Sequence, residues 1–119
     1  DNFWTGFAAN PKAVAEIDRR RYTATYAQPG RMHAGFMYFA ALEQDARDNQ
    51  VLAKSKLTMP ILAMGGEKSA GELVGGQFGQ IGTNVKPMVI VGSGHWLLEE
   101  KPVEVMAAVV RFLNEHPDN

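Results

Sequence analysis

The sequence predicts an α/β fold: a parallel βαβ unit covered by helices. Two short apolar runs, Ile61-Leu62-Ala63-Met64 and Met88-Val89-Ile90-Val91, are each closed by glycine, a design that suits strands buried on both faces better than alternating edge strands. The stretch between them, Glu67 to Pro87, is long enough for the helical crossover that parallel strands require. Amphipathic stretches on either side supply helices to cover the sheet.

Taken in order, Asn10 before Pro11 reads as a helix start, because the Asn side chain can accept an orphan backbone N–H and Pro at the first position lacks one. A helix from Pro11 to about Tyr26 follows, with Val14, Ile17 and Ala24 near helical spacing and Lys12, Glu16, Asp18 and Arg19 to Arg21 as a solvated face. Gln28-Pro29-Gly30-Arg31 is a turn signal. A second helix runs from about Met32 to Asn49, its apolar stripe formed by Met32, Phe36, Phe39, Ala40 and Ala46, and it calls for a large apolar partner. The first strand follows Pro60. In the crossover, Leu73, Val74, Phe78 and Ile81 are helix-spaced, although Gly71, Gly75, Gly76, Gly79 and Gly82 weaken a helix there. After the second strand, Pro102 opens a last helix with Val103, Met106, Val110 and Leu113 down one face.

A chain of 119 residues, 45% hydrophobic and 21% charged, fits one domain with a modest core. Twelve Lys and Arg against 13 Asp and Glu give a formal charge of −1, which provides no field to gather nucleic acid or an anionic membrane. The absence of cysteine excludes disulfides, thiolate nucleophiles and Cys-ligated zinc and favours a cytoplasmic location. The apolar runs are too short to span a bilayer. Asp1-Asn2-Phe3-Trp4 has none of the features of a signal peptide and reads as an internal cut.

Two strands alone make a poor sheet, since each shows an open apolar edge. Further strands are therefore expected upstream or from another chain.

Reactive groups in open α/β sheets sit just beyond the carboxyl ends of strands. Two such loops occur: Gly65-Gly66-Glu67-Lys68-Ser69 and Gly92-Ser93-Gly94-His95-Trp96. If the strands are adjacent and parallel, Glu67 and His95 emerge at one sheet edge, where a carboxylate can orient an imidazole. On spacing alone His95 reads equally well as a surface histidine packed on Trp96, and Glu67 as a loop acid paired with Lys68. The first loop lacks the leading glycine of a phosphate loop and carries an acid that repels phosphate. His33, His95 and His116 show no metal-ligand spacing, so no metal is expected.

The run Val91-Gly92-Ser93-Gly94-His95-Trp96-Leu97-Leu98-Glu99-Glu100-Lys101-Pro102, followed by an amphipathic helix, resembles the last strand and catalytic-histidine loop of α/β-hydrolases, and among them the branch of epoxide hydrolases and haloalkane dehalogenases. Tyr26 to Tyr38 resembles the junction where the helical cap of those enzymes returns to the core, and Met59 to Glu67 their penultimate strand. The resemblance implies a partial α/β-hydrolase fold, with residues 1–30 a cap-derived helical segment and 31–119 the C-terminal part of the core. It implies His95 as catalytic base, Glu67 as a candidate carboxylate partner, and Tyr38, Phe39 and Trp96 as substrate contacts, with no cofactor. The nucleophile elbow, G-x-[SD]-x-G, is absent from this sequence, and Gly92-Ser93-Gly94 lacks its frame, leaving Ser93 a loop residue. Epoxide hydrolases place a ring-protonating Tyr directly before an Arg in the cap helix. The corresponding place here reads Phe39-Ala40, and because Phe donates no proton, epoxide opening would require Tyr38 in that role. The expected function is the base-supplying portion of a hydrolase acting on a small-molecule substrate, completed by an N-terminal half or a complementing chain. The alternative is a non-catalytic remnant that forms a homo-oligomer or binds a partner protein through its sheet edge.

Overall fold

The computed structural model describes residues 2–117. In chain order these form α1 (Asn2–Gly6), α2 (Glu16–Tyr26), α3 (Arg31–Leu52), β1 (Ile61–Gly66), α4 (Glu72–Ile81), β2 (Val85–Ile90), α5 (Leu97–Glu100) and α6 (Pro102–Glu115). They fall into two compact units. One comprises the described residues up to Val14 and from Lys56 onward, and the other is Ala15–Ser55. The boundary expected at residue 30 falls inside the second unit, between α2 and α3.

The sheet unit is organised by β1 and β2, which pair in parallel from Ile61 opposite Val85 to Gly66 opposite Ile90. These are the two predicted strands, joined by the predicted crossover helix, α4. Side chains alternate across the pleat. Ile61, Ala63, Val85 and Pro87 share the face toward α4, where Gly75 lies so close to Pro87 that an added Cβ would sit 2.5 Å from the proline Cβ. Leu62, Lys86 and Met88 share the other face, and with Ala108, Arg111 and Phe112 of α6 they line a common cleft. Lys86 Nζ meets Glu115 Oε2 at 2.6 Å on that side. Val14, Ala63, Ile90, Val105 and Ala108 form the buried apolar core.

Three local expectations are corrected. The second strand is Val85–Ile90 rather than 88–91, and Val91 lies beyond it at 72% exposure. Nor is that strand buried on both faces, because Lys86, Pro87 and Met88 are exposed on a strand with a single described neighbour. In α6, Val103, Met106, Val110 and Leu113 are 76%, 52%, 49% and 59% exposed, and the helix buries Val105 and Ala108 instead. At about 100° per residue its apolar side chains form two stripes roughly 150° apart, and the sheet takes only one of them.

In the helical unit, α2 begins at Glu16, not Pro11. Asn10 does accept a backbone N–H, that of Lys12 at 3.0 Å, but the bond closes a turn in place of a helix cap. Glu16 pairs with Arg19 at 2.5 Å and Arg20 at 2.7 Å, and Asp18 with Arg21 at 3.8 Å, as expected of a solvated, self-neutralising face. The turn at Pro29-Gly30 leads into α3. Neither helix has a buried residue, and Met32, Phe36 and Phe39 stand exposed, so nothing in this unit covers the apolar stripe of α3.

Candidate active site

The parallel register brings the loop after β1 and the loop after β2 out at one sheet edge, as predicted for Glu67 and His95. The loops are cross-linked. Glu67 N–H donates to Ile90 O at 3.1 Å and Lys68 N–H to Ser93 O at 2.9 Å. Gly92 N–H donates to Glu67 Oε2 at 3.0 Å, and Lys68 Nζ lies 3.2 Å from the same oxygen. The Gly92 N–H and then the Lys68 ammonium hold the Glu67 carboxyl below the usual glutamate range, so it is a carboxylate at neutral pH. Among the described residues no hydrogen bond joins Glu67 to His95.

His95 is exposed. Its backbone N–H donates to Phe7 O at 2.9 Å, and its ring centroid lies 5.9 Å from that of Phe7 and 4.7 Å from that of Trp96, the latter edge-on at 90°. Trp96 in turn packs on Trp4 and Phe3, with centroids 5.0 and 5.6 Å away, and its Nε1–H donates to Trp4 O at 2.8 Å. The histidine loop thus rests on the N-terminal segment, a contact of nearly 90 residues in sequence that no local pattern announces.

Close backbone stacking makes this possible. A Cβ on Gly66 would run into the Gly94 carbonyl, and one on Gly94 into Ala9 N and Phe7 O. Glycine at both positions lets three backbone layers lie against one another. Ser93 is fully buried among them, its hydroxyl 3.5 Å from Gly94 O, and so presents no surface nucleophile.

Glu100, given no role by the sequence reading, ties the arrangement together. Its Oε1 accepts Gly94 N–H at 3.0 Å and Trp96 N–H at 3.2 Å, and its Oε2 accepts Ala9 N–H at 2.7 Å and Asn10 N–H at 3.2 Å. Its place in the run that resembles the hydrolase loop was the only signal available. Tyr38 and Phe39 lie on α3 of the other unit, 79% and 65% exposed.

A groove of about 450 Å³ runs along α4 and β2, lined by Gly71, Glu72, Gly75, Gly76, Pro87, Met88 and Val89. It includes none of Glu67, His95 and Trp96. Among the described residues no group of three or more His, Cys, Asp or Glu side chains could hold a metal, and no helix is long and apolar enough to cross a membrane.

No family model matches the sequence. A soluble epoxide hydrolase of Corynebacterium sp. (strain C12) is 27% identical over 103 residues, which cover 87% of this chain and 36% of that protein. Among solved structures, Cfl2 of Burkholderia cenocepacia superposes with a TM-score of 0.83 at 27% identity, covering 93% of this chain and 38% of its own. The epoxide hydrolase CorEH superposes with a TM-score of 0.84 at 26% identity, covering 92% and 38%. The chain therefore spans little more than a third of the length of the relatives it matches. With sequence and fold agreeing over nearly all of its length, the chain belongs to the α/β-hydrolase superfamily.

Proposed function

We propose that this chain supplies the catalytic base, His95, of an α/β-fold hydrolase whose nucleophile lies outside residues 1–119. The observation that carries the reading is an exposed imidazole on the loop after β2, held at the carboxyl edge of a parallel sheet, where such folds place reacting groups. With an Asp nucleophile, attack on an epoxide carbon breaks the ring C–O bond and leaves an alkoxide that takes a proton, whereas attack on a haloalkane carbon expels halide; either way a covalent ester remains. The His95 imidazole then takes a proton from water, and the resulting hydroxide equivalent attacks the ester carbonyl and releases the nucleophile. With a Ser nucleophile, His95 takes the hydroxyl proton as the oxygen attacks an ester and passes it to the departing alcohol, leaving an acyl-serine that water hydrolyses in the same way. Glu67, kept ionised by Gly92 and Lys68, is the proposed carboxylate partner, and Trp96, Tyr38 and Phe39 the proposed substrate contacts. Tyr38 alone of the last two carries an O–H able to protonate an opening ring.

The test is turnover of epoxides, haloacids and nitrophenyl esters by the purified chain, alone and mixed with the N-terminal portion of the Corynebacterium soluble epoxide hydrolase. The expected result is no turnover alone and turnover of one substrate class on mixing. Hydrolysis by the unaided chain, with His95→Ala fully active, would overturn the proposal.

A second reading is favoured by the exposed stripe on α6 and the two-stranded sheet: a non-catalytic chain that pairs with a copy of itself or with a partner protein. A closed homodimer that buries His95, found by sedimentation and cross-linking, would decide for it.

A further inference from the structure

We propose that Glu100 is a positioning residue for His95, its carboxylate clamping the histidine loop onto segment 7–10 through backbone N–H bonds. The inference rests on the reading of His95 as a base. An ionised carboxylate offers about four lone-pair sites, and here each oxygen accepts two N–H groups, Gly94 and Trp96 on one side and Ala9 and Asn10 on the other. Gly94 and Trp96 flank His95 in sequence, so the clamp fixes the backbone on both sides of the histidine. Ala9 and Asn10 continue the segment whose Phe7 carbonyl accepts the His95 N–H and whose Phe7 ring faces the imidazole. None of the four N–H groups has another acceptor among the described residues.

A charged acceptor is needed for this. Bonds to an ionised group are roughly twice as strong as neutral ones, and no uncharged side chain of this shape accepts at both ends. In Glu100→Gln, one oxygen becomes an NH2 that faces two N–H donors and accepts from neither. The isosteric variant therefore loses half of the clamp whichever way its amide turns.

The test uses the 119-residue chain without any activity assay. In the wild type, amide hydrogen exchange at Ala9, Asn10, Gly94 and Trp96 is slowed, and the His95 imidazole proton signals, assigned by their disappearance in His95→Gln, carry the ring-current displacement of Phe7 and Trp96. Glu100→Gln is expected to speed exchange at these amides by about tenfold or more and to move the His95 signals toward those of an unconstrained histidine, with exchange in β1 and β2 unchanged. Glu100→Asp, which keeps both oxygens on a shorter stem, is expected to restore part of the His95 displacement. Glu104→Gln, one turn into α6, is the control and leaves every signal in place.

Unmoved His95 signals in Glu100→Gln would overturn the proposal even if the amides were freed. Uniform loss of protection across β1 and β2 would overturn it too, because the carboxylate would then hold the whole fold and not the loop. A clamp that passes these tests in a chain that gives no turnover on mixing with the nucleophile portion would leave the clamp standing and remove the hydrolase reading.

Discussion

The Glu67 side chain links the two strand-end loops through one bond to Gly92, and its lowered pKa sets when that link breaks. Because the folded value lies below the usual 4.5, the bond's contribution is present above the unfolded value and lost only as pH falls through the lower, folded one. The Gly92 amide signal is expected to hold steady from pH 7 to 5 and to move only below the ordinary glutamate range. Movement centred at or above pH 4.5 would contradict the bond. At Trp96, replacement by Phe keeps an aromatic ring against Trp4 but removes the Nε1–H bond to Trp4 O, and chemical denaturation should show a loss of about 0.5–1.5 kcal/mol. Residue types at this scale were legible where a loop follows a strand, as with Glu67 and His95. The N-terminal partners of Trp96 and Glu100 were not, because they lie some 90 residues away in sequence and backbone groups leave no compositional mark.

At the scale of elements, α4 shows local propensity yielding to packing. Replacing an interior helical glycine by alanine normally gains about 0.5–1 kcal/mol, yet at Gly75 the added methyl meets Pro87, where overpacking costs about 1–3 kcal/mol. Gly75→Ala is expected to destabilise the chain, whereas at Gly76, with nothing within 4 Å, the same change should stabilise it. Parallel denaturation curves of the two variants check both signs. The existence of α4, β1, β2 and α6 was readable from glycine-closed apolar runs, helical spacing and Pro102. The buried side of α6 was not, since Val105 with Ala108 and Val110 with Leu113 both satisfy helical spacing and only the sheet selects between them. Likewise α1 follows no cap or period signal, and its helix is recognised only through the aromatic contacts of Phe3 and Trp4 with Trp96.

At the scale of the molecule, the two-stranded sheet and the unused stripe of α6 describe a surface that the proposed completing portion would cover. Val110→Lys with Leu113→Lys changes only exposed positions and should leave the thermal midpoint within a few degrees, consistent with surface effects of about 0.5 kcal/mol or less. A large loss of stability in the isolated chain would show that the stripe is already buried. The shortage of strands was visible in the sequence because only two apolar runs of four residues or more are closed by glycine; what completes them was not, since edge groups carry no record of their partner. In the mixture of this chain with the nucleophile-bearing portion, His95→Gln is expected to lower kcat by about 10²–10⁴ with substrate affinity little changed, and an unchanged kcat would show that His95 is not the base.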